Sequence, residues 1–590
     1  MKQKRKITTL LFALCLSLAA GFAQEVRGVV TDSDGEPLIG VSVVEKGTSN
    51  GTITDLNGAF VLQLQSANAE KAKLHFSYVG YQSVELSADS KRLAKVEMMA
   101  DNKLLDEVVV VGYGQKRKGG IASAVTTVQA EDIVRSTSTT TSGALVGKVA
   151  GITSRQSSGV PGAAASIQVR NLGTPLYVID GVIKDESAFN NLDISDIENV
   201  SVLKDGAAAI YGVKAANGVV LVTTKKGKAN QKMEVNLNAY MGWQQWTEYP
   251  ELLSAYDWVY ANYMRDVNSG TLAVSTEQAR AELEKWKSGY YNPETGEDYR
   301  GYDWYHNYVR SAAPQYYANA NLSGGSEKVT YYASLSHVGQ EAVFQDYTFN
   351  RTNLQTNVDV NITDNLKFGT QISGKIDNTI NPGLPGSDDY QARKLSVIGM
   401  LPIYRPYAND NEQYVNYIAG YDGAHNPASY TIDNAGEYHK RNTTFQTNFT
   451  LDWQTPLQGL SARALFSYFY NGQDINNLEK AWQEYTYDPI NKTYNVAYAK
   501  TDTWMERTRA TTNDLTGQAL VSYDNTFSGH HVSATVGFEF YQRKYNSIYN
   551  SQNPVDNPYI DLITTSENNK VTEVSTTQTT ASVIFRAGYD

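Results

Sequence analysis

Through much of its second half the chain alternates apolar and polar residues one by one. From 442 to 454, Thr443, Phe445, Thr447, Phe449, Leu451 and Trp453 fall on one side of an extended backbone, with Asn442, Thr444, Gln446, Asn448, Thr450 and Asp452 on the other. Val532, Ala534, Val536, Phe538 and Phe540 oppose Ser533, Thr535, Gly537 and Glu539 in the same way. So do Leu354, Thr356, Val358, Val360 and Ile362 against Asn353, Gln355, Asn357, Asp359 and Asn361. About ten such strands are predicted, starting near residues 232, 316, 329, 350, 365, 441, 460, 513, 531 and 579. Alternation alone also fits a soluble sandwich, so the connections decide. Those at 324–328, 363–365, 455–459 and 525–530 are tight, and those near 245–315, 377–440, 471–512 and 546–578 are long. One shorter outer loop, 340–349, interrupts the rhythm. Tight turns at one rim and long loops at the other predict a transmembrane antiparallel β-barrel, apolar outside and polar within.

The first half reads differently. Residues 25–98 alternate between Gly-bearing turns: Val26-Arg27-Gly28-Val29-Val30, then Asp32-Ser33-Asp34-Gly35, then Thr54-Asp55-Leu56-Asn57-Gly58. These are hairpin signals and predict a small β-sandwich. Asp32 and Asp34 lack the further oxygen ligands of a calcium loop and fit turn chemistry. Residues 101–120 read as a linker, with a β-branched run at Val108, Val109, Val110 and Val111, then Gly112, Tyr113 and Gly114, and a basic Gln115-Lys116-Arg117-Lys118 stretch. Such a run is either an internal strand or one open to another protein's sheet edge. Residues 121–228 mix a helical turn at 142–149 with strands at 175–180, 200–203 and 219–223, an α+β pattern.

Lys2, Lys4, Arg5 and Lys6 precede an apolar run at 7–20 and the small residues Gly21 and Ala23, the pattern of a secretory signal peptide over 1–23. Past residue 23 no apolar run reaches the roughly 18 residues of a membrane-spanning helix. The formal charge of −11 excludes a general nucleic-acid binder, which needs a concentrated positive field. Cys15 is the chain's one cysteine, which leaves neither a disulfide framework nor a cysteine metal site. The seven histidines form no metal-binding pair: His530 and His531 are adjacent and point to opposite faces of a strand. No nucleophile motif or paired general acid and base stands out, so neither an enzyme nor a cofactor is expected.

Several runs resemble known families. Gly28-Val29-Val30-Thr31-Asp32, Pro37-Leu38-Ile39-Gly40-Val41 and Tyr78-Val79-Gly80-Tyr81 are similar to the carboxypeptidase regulatory-like domain, which is non-catalytic. The stretch around Tyr177, Asp180 and Gly181 (Pro175-Leu176-Tyr177-Val178-Ile179-Asp180-Gly181-Val182) resembles the plug of SusC/RagA TonB-linked outer-membrane transporters. So does Tyr211-Gly212-Val213-Lys214-Ala215-Ala216-Asn217-Gly218-Val219-Val220. One departure is a shortened plug loop, where Arg170-Asn171 stands in place of the family's Arg-Gly pair.

The resemblance implies a mainly β protein: signal peptide, β-sandwich, linker, plug at 121–228 and the first part of a barrel at 229–590. It implies import of a large nutrient, glycan or peptide, across the outer membrane. The implied partners are TonB, energised by ExbB and ExbD, a SusD-type surface lipoprotein as lid, and outer-membrane lipid around the wall. TonB is expected to contact Asp106, Glu107, Val108, Val109, Val110, Val111, Gly112, Tyr113 and Gly114. Trp243, Trp246, Tyr249, Trp258, Trp304 and Tyr305, at or beyond the end of the first wall strand, are the candidate substrate-loop aromatics, although aromatic residues also form membrane girdles. A secreted β-rich adhesin is the rival reading, and it would have no use for a plug. A plug of this size needs a barrel of about 22 strands, so roughly twelve more are expected beyond residue 590.

Overall fold

The computed structural model describes residues 25–33, 35–48, 50–64, 72–78, 81–88, 90–99, 108–111, 114–117, 125–129, 133, 136–156, 158–384, 389–418, 426–553 and 569–589. The expected signal peptide, Asp34, Asp106, Glu107, Gly112 and Tyr113 lie outside the described residues. The chain forms two compact units, one ending near residue 122 and the other carrying 123–590.

In the first unit, β1 (Glu25–Thr31), β2 (Ser42–Glu45), β3 (Gly51–Ile53), β4 (Ala59–Gln63), β5 (Lys73–Ser77), β6 (Val84–Ser87) and β7 (Lys95–Glu97) make two sheets, ordered β4-β1-β7 and β3-β2-β5-β6. Alternate residues turn inward, so Val30, Val41, Val43, Leu74 and Phe76 are fully buried, and Phe60 meets Phe76 edge to face at 5.3 Å. The aspartates act as turn formers. Asp32 Oδ1 accepts the Glu36 N–H at 2.8 Å, and Asp55 Oδ1 accepts those of Asn57 and Ala59, each at 2.9 Å. Farther along, β8 (Val108–Val111) pairs with β9 (Gly114–Arg117) in a two-stranded sheet, so the valine run has an internal partner.

The second unit begins with the plug. Its elements are β10 (Val125–Gln129), α1 (Thr141–Ala144), β11 (Ile152–Arg155), β12 (Ser166–Val169), β13 (Leu176–Ile179), β14 (Val182–Lys184), α2 (Glu186–Asn190), β15 (Ile197–Leu203) and β16 (Val219–Thr224). A five-stranded sheet runs β10-β15-β16-β13-β14, with β13 and β16 parallel, and β11 pairs β12 apart from it. Thr140 and Asp185 cap α1 and α2 with their side chains. Tyr177 stacks on Phe189 at 4.7 Å inside a core built from Val128, Ile133, Val200, Val202 and Val222.

Around the plug stands a wall. β17 (Glu234–Gln244) leads into α3 (Ala255–Ser269), α4 (Thr276–Ser288), a hairpin of β18 (Tyr291–Asn292) and β19 (Glu297–Asp298), and α5 (Trp304–Tyr308). Then come β20 (Ala313–Gly325), β21 (Val329–Glu341), β22 (Thr348–Thr363) and β23 (Leu366–Pro382), followed by α6 (Asp389–Gly399) and α7 (Ile432–Ala435). Next are β24 (Gly436–Gln454), β25 (Leu460–Glu479), the hairpin β26 (Trp482–Asp488) with β27 (Thr493–Lys500), β28 (Trp504–Phe527), β29 (His530–Gln552) and β30 (Lys570–Tyr589). Ten of these strands form one antiparallel sheet, in chain order from β17 to β30 with only the two small hairpins left out; it is an open, partial barrel. The tight turn after β28 uses Ser528 (φ 47°) and Gly529 (φ 92°), the paired positive φ of a type I′ hairpin.

The wall is turned inside out relative to a soluble protein. Leu335, Leu354, Phe449, Leu451, Trp453, Val536 and Phe538 are exposed on its outer face, while Asn353, Gln355, Asn357, Asn448 and Glu539 are buried on the inner one. The strands outrun the expected span. β28 has 24 residues and β29 has 23, where about ten suffice to cross a membrane. Three long loops are therefore shorter than the pattern suggested, covering 383–435, 480–503 and 553–569. Toward the loop end residues on both faces are half-buried, and the alternation lapses (Asn471-Gly472-Gln473-Asp474) although the ladder continues to Glu479.

Candidate functional site

The plug is held in the wall by polar side chains. The Asp180-Gly181 turn joins β13 to β14, with Asp180 at φ 49° and Gly181 at φ 86°. Asp180 Oδ1 accepts the Thr224 N–H at 2.9 Å, and Oδ2 accepts the Thr224 hydroxyl at 2.8 Å and Gln371 Nε2–H at 2.6 Å. Gln371 is on the wall and accepts from Asn448 Nδ2 at 2.6 Å. The Gly181 carbonyl accepts from Gln518 Nε2 at 3.1 Å, and the Lys225 carbonyl from Asn357 Nδ2 at 2.5 Å. The motif residues Asp180 and Gly181 are thus joints between plug and wall.

A second set of joints centres on two acids. Tyr317 OH donates to Asp193 Oδ1 at 2.8 Å, and Tyr332 OH donates to Asp196 Oδ1 at 2.8 Å. The Ser334 hydroxyl also donates to Asp196. Asp196 is 3% exposed; burial first, and then the nearby Asp193 carboxylate, push its carboxyl well above the usual range. Buried Arg351 reaches from β22 to the plug carbonyls of Thr139 and Asn190, each at 3.2 Å. Arg543 bridges Asp514 at 2.7 Å to Asp185 of the plug at 3.3 Å. Lys184 lies 4.4 Å over the Phe469 ring, its ammonium pushed down to about 8 by burial. Nothing in the motif announced Asp193 and Asp196; the sign that could have found them is the row of tyrosines and serines on the inner faces of β20 and β21.

The other motif residues shape the plug itself. Gly212 (φ 67°) breaks the 3-10 stretch Asp205–Ala215, in which Tyr211 is half-buried. Asn217 Nδ2 donates to the Thr174 carbonyl at 3.2 Å. Gly218 has φ 88°, and a Cβ there would press on Val169 and the Leu203 carbonyl at 3.0 and 3.1 Å.

Above the wall, the structure separates the candidate aromatics. Trp304 is 1% exposed and donates from Nε1 to the Leu401 carbonyl at 3.1 Å, as a core residue of the loop layer. Trp243 is 65% exposed on the outer, apolar face of β17. Trp258 is half-buried on α3. Trp246, Tyr249 and Tyr305 do come together, with Tyr249 stacked on Tyr305 at 3.7 Å and Trp246 tilted against Tyr305 at 5.6 Å. They line a cleft of about 710 Å³ with Tyr302, His306, Tyr308, Arg310, Arg393 and Tyr407. Among the described residues, no group of three His, Cys, Asp or Glu is placed to hold a metal ion.

Residues 26–110 match the carboxypeptidase regulatory-like domain, and residues 117–219 match the TonB-dependent receptor plug domain. The TonB-dependent receptor SusC of Bacteroides thetaiotaomicron is 31% identical over 70% of this chain and 40% of its own length. A TonB-dependent receptor of Formosa agariphila is 32% identical over 75% of this chain and 42% of its own length. This chain is a relative of the SusC-type TonB-dependent receptors. It spans less than half the length of either relative. In fold, the SusC-like chain also resembles the RagAB peptide importer in its open-open state, at a TM-score of 0.65 and 21% identity, over 82% of this chain and 54% of the importer's. The plug joints described above therefore sit in a receptor plug, and the cleft sits in the loop layer of a SusC-like wall.

Proposed function

We propose that the chain serves TonB-dependent import of a large nutrient, an oligosaccharide or peptide, across the bacterial outer membrane. A SusD-type lipoprotein covers the outer loops, and the sandwich and plug face the periplasm. The observation that supports this most is the plug's seat: a folded domain joined to the inner face of an inverted sheet by many hydrogen bonds and ion pairs. An apolar seat would resist any pull, whereas polar joints can be exchanged for water one by one as the plug moves. Residues 106–114 are the point of attachment. In this reading TonB adds a strand to the valine run, displacing its β9 partner, and force passes from there to the plug.

Deleting residues 106–114 should abolish uptake and leave assembly in the outer membrane intact, because the segment precedes both plug and wall. Growth on the cognate nutrient and surface labelling check this together. A deletion strain with normal surface levels that still grows at the parental rate would sink the assignment.

A further inference from the structure

The loop-layer cleft combines basic and aromatic side chains. The chain carries a formal charge of −11, yet among the described residues the cleft is lined by Arg310 and Arg393 and by no aspartate or glutamate. Arg393, on α6, is 2% exposed and lines the cleft. Its Nη1 donates to the Pro427 carbonyl, while its Nε has no hydrogen-bond partner. The rings of Tyr308 and Tyr430 lie 5.5 and 5.9 Å from the guanidinium. Asp346, whose charge acts on it, is engaged by the Ile432 N–H at 3.1 Å and does not line the cleft. A desolvated guanidinium with an idle donor, offset by ring faces and by an Asp346 carboxylate that does not reach it, is costly, and an anion entering the cleft would relieve that cost.

We infer that this cleft binds the carboxylate-bearing sugar of an acidic oligosaccharide, with Arg393 and Arg310 meeting the carboxylate and the Tyr249–Tyr305 stack meeting the ring. The inference rests on the import reading and narrows its substrate. The stacked tyrosines and Trp246 offer broad faces that suit the C–H surface of a pyranose ring. Gln245, Asn307 and Gln345 on the same lining supply amides for its hydroxyls. Arg310 keeps part of its guanidinium in water while paired to Glu341 at 2.5 Å, and so can turn to an arriving anion.

The test is calorimetric titration of the receptor, extracted full length from native outer membranes, with tetragalacturonate, the neutral galactose tetramer and tetraglutamate. Tetragalacturonate should bind at least tenfold tighter than the neutral sugar, with a margin that shrinks as salt rises. Arg393→Gln should remove that margin. Should Arg393→Gln fail to fold, Arg310→Gln, whose side chain is partly exposed, should reduce the margin severalfold, and Tyr249→Ala should weaken both sugars. Equal affinity for the two sugars, preference for tetraglutamate, or no binding of any of the three overturns the inference. Uptake that is lost on deleting 106–114 but unchanged in Arg310→Gln and Tyr249→Ala would also overturn it, and would leave the import reading standing.

Discussion

Asp196 couples the plug's grip to pH. Its carboxyl is buried against Tyr332 and Ser334 of the wall, and its folded-state pKa is raised by burial and by Asp193. A raised acid favours the folded state fully below the unfolded value, about pH 4, and that contribution is lost as pH rises through the folded-state value. Thermal unfolding in detergent should therefore show a midpoint that falls between pH 5 and pH 8. Asp196→Asn keeps an acceptor for Tyr332 without the charge, so it should flatten the slope and raise the midpoint at pH 8. An unchanged slope in the variant would show that the acid is not what responds. At this scale the sequence was only partly readable. Asp180 and Gly181 were singled out from a family motif, and their roles as joints follow from Gln371 and Gln518, which lie 191 and 337 residues away along the chain. Aromatic character says nothing of depth, and Trp304 lies buried in a cluster with Val309, Phe344, Val397 and Met400 that no local pattern announces.

The wall strands follow directly from the period-2 pattern. The expected starts at 329 and 460 coincide with β21 and β25, and those at 350, 365 and 531 fall within two residues of β22, β23 and β29. Agreement is poorer where strands rise past the lipid: the start expected at 513 is Trp504, and that at 579 is Lys570. The signal being read was the difference between lipid and plug, and it vanishes where water lies on both sides. The same difference gives an energetic expectation. Leu354, near the middle of β22 on the outer face, should not tolerate charge; Leu354→Arg should cost about 2–4 kcal/mol at mid-membrane depth. Thr493→Arg, on the exposed hairpin strand β27, should cost almost nothing. Denaturant titration of the two variants in lipid vesicles compares them directly. Equal stability would mean that the outer face of β22 does not meet lipid.

At the scale of the whole molecule, the outer loops have more structure than a sugar cleft requires. The stretch between β17 and β20 folds into α3, α4, a hairpin and α5, and ordering so long a connection needs a purpose or a partner. α3 suggests which. Tyr256 and Tyr260 stack at 6.0 Å on its surface, and Tyr260, Met264 and Val267 are exposed at spacings that place them along one side of the helix. An apolar stripe of that kind on a water-facing helix marks a contact surface. It lies on the loop side of the wall, where the proposed lid lipoprotein would rest. Tyr260→Glu combined with Met264→Glu should leave the wall assembled and the cleft able to bind sugar, since neither residue lines it. The lipoprotein should nevertheless be lost on purification from native membranes in mild detergent, where the unsubstituted protein retains it. Should the unsubstituted protein come away alone, the lid is not part of this system; should the double variant keep its lipoprotein, the lid docks elsewhere on the loop layer than α3.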